Sequence, residues 1–234
     1  MYKRIILKLS GETLADPGNS RCYDAKRVAL AAKAIAEIQK LGVECGIVIG
    51  GGNIWRGRFT DDMNPVNADN MGMLATVMNA ICLMDALRTE GVKSEVFSAV
   101  QMLKFAKFYT AGEVDEYLRS GGVALLSAGT GNPFFTTDTA AALRAAELSA
   151  DAVFKGTNVK GLYDKDPNKY PDAKFIAEAT YEDCIKNGYK VMDSTAFDIC
   201  KNRNVAAIRV FKMDELDNII KVLKGEAIGT TIHA

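Results

Sequence analysis

The chain has 234 residues, a length that suits one large α/β domain or two small lobes sharing a sheet. It carries 29 basic and 29 acidic side chains, so no field of the whole protein draws it to nucleic acid or to an anionic membrane. Neither partner is expected. The single histidine, His233, argues against histidine triads and histidine-rich metal sites, and no metal-ligand set within the protein is predicted.

The five cysteines are odd in number and scattered, and none has the C-x-x-C spacing. Such usage is typical of reduced thiols in a cytosolic protein rather than of a disulfide framework or a zinc site. No apolar segment is expected to span a bilayer, and the first residues do not form a signal-peptide pattern. A cytoplasmic location is therefore predicted.

Apolar segments of strand length alternate with longer segments of helical period, which predicts an α/β protein. We expect a three-layer α/β/α sandwich around a mostly parallel sheet. Strands are predicted at residues 5–9, 46–49, 92–97, 123–126, 152–154 and 207–211. Helices are predicted at 28–38, 69–88 and 139–150, and from a cap at Asp214, through Leu216 on the inner face, to a stop at Gly225.

The helix predicted at 69–88 has two apolar stripes, and one sheet face can cover only one of them. A large uncovered stripe is rare in monomers, so we expect this helix to pair with its own copy in an oligomer. The alternative is that another helix of the same subunit covers the second stripe. The first stripe is Met71, Leu74, Met78 and Ile81, and the second is Met73, Val77, Met84 and Leu87.

Residues 163–171 are rich in Asp, Lys and Pro and are predicted to form a loop. We place a division near Ala150, between an N-terminal part at 1–150 and a C-terminal part at 151–234. Both parts are expected to share one continuous sheet, and a single domain is the alternative.

Glycine clusters follow three predicted strands, at residues 8–11, 50–53 and 129–138. In an open α/β sheet, ligands bind beyond the carboxyl ends of the strands. Glycine lets backbone N–H groups approach an anion closely, and the start of a helix adds a favourable dipole. Although one such cluster alone would indicate an ordinary turn, three together predict two phosphate-bearing ligands that meet at this edge.

Lys8 lies inside an apolar strand, where a lysine is costly to bury unless its ammonium group meets a charge. The alternative is a lysine on an edge strand that reaches solvent. The familiar nucleotide fingerprints are absent from the sequence: there is no G-x-x-x-x-G-K-[ST], no complete G-x-G-x-x-G, and no protein-kinase H-R-D with D-F-G.

Four motifs carry a resemblance to a known family. They are Lys-Leu-Ser-Gly-Glu at 8–12, Gly-Gly-Gly-Asn-Ile-Trp-Arg-Gly at 50–57, Asp-Asn-Met-Gly-Met-Leu-Ala-Thr at 69–76 and Gly-Thr-Gly-Asn-Pro-Phe-Phe-Thr-Thr-Asp at 129–138. The chain resembles the bacterial uridylate kinases of the amino-acid kinase family over essentially its whole length. The glycine turns alone would also fit acetylglutamate, aspartate or carbamate kinases, so the last two motifs are the specific ones.

The resemblance implies the amino-acid kinase fold and Mg²⁺-dependent transfer of a phosphoryl group from ATP to UMP. It implies catalytic roles for Lys8, Arg56 and Asp138, with Asp138 orienting the cations. The residues implied for ATP are Lys8, Leu9, Ser10, Gly11, Gly52, Arg56, Thr157, Tyr163 and Asp166. The residues implied for UMP are Gly51, Asp69, Thr130, Gly131, Asn132, Pro133, Phe134, Phe135, Thr136 and Thr137, with Asp69 as acceptor for the ribose hydroxyls.

Several of these residues have a structural alternative. Asp138 and Asp69 could each simply cap a helix. Trp55 could stack on a base, although packing is the commoner role beside a glycine turn. The lysine-rich stretch 155–169 is read as a solvated loop with one or two nucleotide contacts.

The resemblance also implies a hexamer built from dimers and feedback inhibition by UTP. Two departures from the family pattern stand out. Residues 159–161 are Val-Lys-Gly in place of Val-Asp-Gly. The segment 15–24 lacks the Gly-Phe-Gly-Ile-Asp-like run that the family commonly has near the region linked to activation by GTP, so whether GTP activates this protein is left open. The rival hypotheses are a kinase of the same superfamily that acts on a carboxylate or carbamate, and a non-catalytic nucleotide sensor on the same fold.

Overall fold

The computed structural model describes residues 2–16, 18, 21–56, 63–213 and 217–234. The strands are β1 Arg4–Leu9, β2 Glu44–Ile49, β3 Ser94–Ser98, β4 Lys107–Phe108, β5 Val123–Ser127, β6 Ala152–Thr157, β7 Leu162–Tyr163, β8 Phe175–Ile176, β9 Glu178–Thr180, β10 Ala207–Lys212 and β11 Thr230–His233. The helices are α1 Ala25–Lys40, α2 Pro65–Thr89, α3 Ala111–Arg119, α4 Thr137–Glu147, α5 Tyr181–Lys186, α6 Ser194–Asn202 and α7 Asp217–Leu223.

Nine strands of the described chain form one sheet in the order β4-β3-β5-β2-β1-β6-β10-β11-β9. All neighbours run parallel except β10 and β11. β7 and β8 form a separate antiparallel pair. The strands from residues 4–127 therefore occupy one half of the sheet and those from 152–233 the other, and they meet where β1 pairs with β6.

Each face of the sheet carries its own apolar core. Ile5, Leu7 and Leu9 of β1 pack in a cluster with residues of α1, α2 and α7. Ile6, on the opposite face, packs in a cluster with residues of α3, α4, α5 and α6. Because strand side chains alternate between faces, Lys8 lies on the same face as Ile6. This is the three-layer α/β/α arrangement that the alternating pattern predicts.

Capping residues decide where the helices begin, and this explains the shifts from the predicted bounds. Asp24 accepts a hydrogen bond from the Arg27 N–H, 2.9 Å away, and starts α1. Asn64 caps α2, and Pro65 occupies its first turn, so this helix begins four residues before the predicted Asp69. The predicted cap Asp214 and Leu216 lie outside the described residues.

The two stripes of α2 have different environments. Val77 and Leu87 of the second stripe are buried, whereas Met71, Leu74 and Met78 of the first are 39%, 51% and 51% exposed. By length and mean hydropathy, 1.3 over its most apolar stretch, α2 could cross a membrane. The expectation of no such segment is therefore corrected in part, although a buried core helix meets the same criterion. Leu87 and Met84 of the second stripe pack in the core cluster of the sheet face that α2 covers.

Candidate active site

A buried amide network holds the turn after β2 at the carboxyl edge of the sheet, and the turn after β1 packs against it. Asn79 of α2 is fully buried, and its Nδ2 donates to the Gly50 carbonyl oxygen and to Asn53 Oδ1, each 2.7 Å away. A Cβ at Gly11 would lie 2.6 Å from the same Gly50 oxygen, so only glycine fits there. Asn79 therefore fixes the turn after β2, and Gly11 allows the turn after β1 to pack closely against it.

A charge cluster lies at the junction of the two halves of the sheet. Lys8 and Lys155 are partners in the pairing of β1 with β6. The Lys8 Nζ lies 3.1 Å from Asp138 Oδ1, and the Lys155 Nζ lies 2.5 Å from Asp138 Oδ2. Lys155 also donates to the carbonyl oxygen of Val191. The alternative reading of Lys8 as a lysine on an edge strand is wrong, because β1 lies in the middle of the sheet.

The electrostatics of this cluster follow from its burial. Burial alone would raise the pKa of the Asp138 carboxyl, but the ammonium groups of Lys8 and Lys155 outweigh that effect and hold its pKa below the usual range. Burial lowers the pKa of the Lys155 ammonium group, against the attraction of Asp138 and with the repulsion of Lys8. Two cations facing one carboxylate leave an excess positive charge that favours an anionic ligand.

Asp138 does not cap its helix. The cap of α4 is Thr136, whose hydroxyl oxygen accepts from the N–H groups of Asp138 and Thr139. Asp193, the cap of α6, accepts the hydroxyl protons of Thr136 and Thr139, the latter at 2.9 Å. The start of α4 is thus held by α6, and the Asp138 carboxylate is left to the two lysines.

The loop that joins β5 to α4 holds two non-glycine residues in the left-handed region. Ala128 has a φ of 60° and Phe134 a φ of 70°. Thr76 Oγ1 accepts the Ala128 N–H at 2.8 Å, and Asp69 Oδ2 accepts the Phe134 N–H at 2.7 Å. The reading of Asp69 as a helix cap is wrong, since Asn64 caps α2. Asp69 closes the loop onto the helix.

A cavity of about 400 Å³ lies between this loop, α2 and the glycine turns. The predicted site residues that line it are Lys8, Ser10, Gly11, Gly51, Gly52, Arg56, Asp69, Asn132, Phe135, Thr136 and Thr137. Thr130, Gly131, Pro133 and Phe134 belong to the same loop but do not line the cavity, and Leu9 is buried in the core.

Two side chains at the rim of this cavity are already engaged. Arg56 forms an ion pair with Glu12, and its Nε donates to the Gly52 carbonyl oxygen at 2.9 Å. The Trp55 Nε1 donates to the carbonyl oxygen of Ala68 at 2.8 Å, which favours packing over base stacking. Gly57, the end of the second motif, lies outside the described residues.

A second cavity, of about 670 Å³, lies beyond β6. Thr157, Tyr163 and Asp166, three residues for which the resemblance predicts contacts with ATP, all line it. Lys155 lines it as well, so the charge cluster stands between the two cavities. The Lys160 Nζ lies 4.3 Å from the centre of the Phe175 ring.

Comparisons with known proteins agree with this arrangement. The sequence profile of the amino acid kinase family matches residues 3–212. The chain belongs to this family. It is 47% identical to a protein named uridylate kinase from Bacteroides thetaiotaomicron, over 99% of this chain and 98% of that protein. A uridylate kinase from Phocaeicola vulgatus shows the same identity and coverage.

Solved structures extend the agreement to the fold. The UMP kinase from Bacillus anthracis superposes with a TM-score of 0.94 at 34% identity, covering 99% of this chain and 96% of that one. The UMP kinase from Ureaplasma parvum gives 0.93 at 35% identity, with both chains fully covered. The predicted family and the predicted amino-acid kinase fold are therefore confirmed.

Three polar residues of this family member, two of them buried, escaped the sequence reasoning. The stretch 155–169 was expected to be a solvated loop, but Lys155 is a buried strand residue at its start. Its signal was available, because it follows the apolar run 152–154 and precedes Gly156, and Lys8 likewise follows an apolar run and lies three residues before Gly11. Asn79 stands alone among apolar residues of α2, and Asp193 precedes a helix, so both carried only weak signals.

Proposed function

We propose that this chain transfers the terminal phosphoryl group of ATP to UMP, forming UDP and ADP, as a step of pyrimidine nucleotide synthesis. The observation that carries the proposal is the Lys8–Asp138–Lys155 cluster, which stands between the two cavities. The names and full coverage of the relatives support UMP as the acceptor.

The chemistry needs positioning and charge neutralisation more than covalent catalysis. A phosphate oxygen of UMP is the nucleophile, so the protein need not supply one. Lys8 and Lys155 place their ammonium groups side by side, because each is held by one oxygen of the Asp138 carboxylate. Donors fixed in a partly dry site stabilise charge that develops on the transferring group. Arg56 would add a further cation once phosphate competes with Glu12 for its guanidinium group.

The residues present fit a magnesium ion that is held mainly by the nucleotide phosphates. Within the described residues, no group of three or more acidic, histidine or cysteine side chains could hold a metal alone. Asp138 Oδ1 is buried and accepts no hydrogen bond of good geometry, and its contact with the Lys8 ammonium group at 3.1 Å is an ion pair alone. This oxygen would therefore be the one that orients a cation on the phosphates. When bound, magnesium neutralises negative charge on the phosphate oxygens.

We propose that the part at 1–150 holds UMP, at the cavity that Asp69 and the β5–α4 loop enclose. The part at 151–234 holds ATP, at the larger cavity that Thr157, Tyr163 and Asp166 line. We place the reaction in the cytoplasm, in keeping with the free thiols of all five cysteines. UTP, which resembles the product, is the proposed feedback inhibitor.

A coupled assay of ATP consumption tests this function directly. UMP, CMP, dCMP and acetylglutamate are offered separately as acceptors. Rapid turnover with UMP supports the proposal, whereas turnover with acetylglutamate would favour the rival carboxylate kinase. If no acceptor supports turnover while ATP and UMP both bind, the chain is a nucleotide sensor instead.

UMP should be preferred over CMP by about 100-fold or more in kcat/KM. Asn132 and Phe135 of the loop at 130–135 line the cavity, so their backbone and amide groups are within its wall. A site that satisfies the N3–H of uracil leaves polar groups unpaired against cytosine. Steady-state kinetics with each nucleotide at saturating ATP measures the ratio, with the KM for ATP as the internal control. Equal efficiencies would contradict the prediction.

We further propose an obligate oligomer, a hexamer built from dimers, whose first interface is the exposed stripe of α2. Leu103 and Phe105, which are 83% and 60% exposed, border the same apolar groove and enlarge the surface to be covered. An exposed apolar area of this kind is a common mark of a protein interface.

Met78→Glu should reduce the oligomer to smaller species in light scattering at micromolar concentration, because the new carboxylate would be buried unpaired in the interface. Val77 is unsuitable for this test because it is only 5% exposed and a charge there would disturb folding. Leu30→Glu, at a 55% exposed leucine of α1, is the matched control and should not change the mass. A monomeric wild type, or a Met78→Glu variant of unchanged mass, would overturn the proposal.

A further inference from the structure

The β5–α4 loop has a third tether, which lies behind the wall of the UMP cavity. Arg144 of α4 is 4% exposed, and its Nη2 donates to the Gly129 carbonyl oxygen at 3.1 Å. Gly129 lines the cavity, whereas Arg144 does not. The guanidinium group therefore acts on the loop from the side opposite the ligand.

Arg144 is itself held by two partners. Its Nη1 lies 2.6 Å from Glu147 Oε2, and its guanidinium carbon lies 3.8 Å from the centre of the Tyr109 ring. The Tyr109 hydroxyl donates to the same Glu147 oxygen at 2.6 Å. Burial and the Glu147 carboxylate raise the pKa of Tyr109, so its hydroxyl stays a proton donor over the working range. Stacking on a ring while two nitrogens donate to two different acceptors needs the planar guanidinium group of arginine.

The loop needs this support because its backbone is strained at both ends. Ala128 precedes Gly129 and has a φ of 60°, and Phe134 closes the loop with a φ of 70°. Such conformations persist only where the surroundings hold them. Thr76 holds the Ala128 N–H, and Arg144 holds the carbonyl of the next residue. The two tethers together fix the peptide units at the entrance to the loop.

We propose that Arg144 is a positioning residue for the pyrimidine nucleotide, acting through the Gly129 carbonyl, with Tyr109 and Glu147 holding its guanidinium group. The proposal rests on the function proposed above. It assigns part of the positioning of the loop to residues that do not line the cavity. Because the cavity beyond β6 is separate, the effect should fall on UMP and not on ATP.

Arg144→Lys keeps the charge but removes the planar donors. Its KM for UMP should rise about tenfold or more, with the KM for ATP within about twofold of the wild-type value. Tyr109→Phe keeps the ring but loses the hydroxyl, and should shift the KM for UMP in the same direction by a smaller factor. Arg119→Lys, at an arginine whose side chain is 68% exposed and pairs with the half-buried Asp115, is the matched control and should change neither constant.

Steady-state kinetics with each substrate varied in turn, together with thermal melts, decides the outcome. An unchanged KM for UMP in folded Arg144→Lys, or equal changes in both KM values, overturns the positioning role. If Arg144→Lys fails to fold, Tyr109→Phe is the variant that tests the proposal. An unchanged KM for UMP in Tyr109→Phe would then overturn the positioning role. Wild-type protein that does not phosphorylate UMP would instead refute the proposed function, so the two failures are distinguishable.

Discussion

Lys8→Ala should lower kcat by about 100- to 1,000-fold while leaving the dissociation constants of ATP and UMP within a few fold. The Lys8 ammonium group is fixed 3.1 Å from Asp138 Oδ1 at the junction of the two cavities, where the transferring phosphoryl group would pass. An interaction that strengthens only as charge develops appears in kcat rather than in ground-state binding. Steady-state kinetics and equilibrium nucleotide binding measure the two effects separately.

Lys40→Ala is a suitable control, because Lys40 is an exposed lysine that pairs with Glu37 on the surface of α1. It should not change kcat. A Lys8→Ala variant with near-normal kcat and only a raised KM for ATP would assign Lys8 to ground-state binding. Loss of turnover with normal binding supports a role in the transition state.

Asp138→Asn should both abolish most of the turnover and lower the free energy of unfolding by about 3–5 kcal/mol at neutral pH. The change removes the counter-charge of two largely buried lysines, whose ammonium groups would then repel each other without compensation. Denaturant melts at pH 7 measure the loss of stability. Asp198→Asn, at an exposed position of α6, is the matched control and should shift stability by less than about 0.5 kcal/mol.

The stability difference between wild type and Asp138→Asn should shrink in acid. The pKa of Asp138 is lowered in the folded protein, so its contribution is complete above the pKa of an unfolded aspartate, about 3.9. That contribution is lost as the pH falls from this value through the lowered folded pKa. Melts at pH 7 and pH 3 test the sign. A difference that stays constant or grows in acid would show that Asp138 does not act through its charge.

Local patterns predicted the long elements because their signals lie within one segment. β1, β2, β5, β6 and β10 were recognised as apolar runs bounded by polar or glycine residues, and their observed bounds differ by only a few positions. β4, β7, β8, β9, β11 and the short helices α3, α5 and α6 were not recognised. Elements of two to four residues, or of one to three turns, have too few residues to establish a period.

The residues of the site also fall into two groups, those that local sequence identifies and those that only the tertiary contacts reveal. The glycine turns, Lys8 and Asp138 could be identified because each stands out from its own neighbours in the sequence. Lys155 pairs with Lys8 only through the register of β1 with β6, and nothing near either residue encodes that register. Arg144 and Asn79 act from the far side of the elements that line the cavity, so their roles became visible only with the tertiary contacts.

The position of the charge cluster has a consequence for how the protein becomes active. β1 and β6 are far apart in sequence, and contacts of long sequence separation form slowly during folding. The first 127 residues supply five neighbouring strands and can collapse early, but they contain only Lys8 of the two paired lysines. Lys155 joins when β6 docks against β1. We expect catalytic activity to appear late in refolding, after most of the secondary structure has formed. Chains that stop folding with only half of the sheet would therefore be inactive and would not consume ATP.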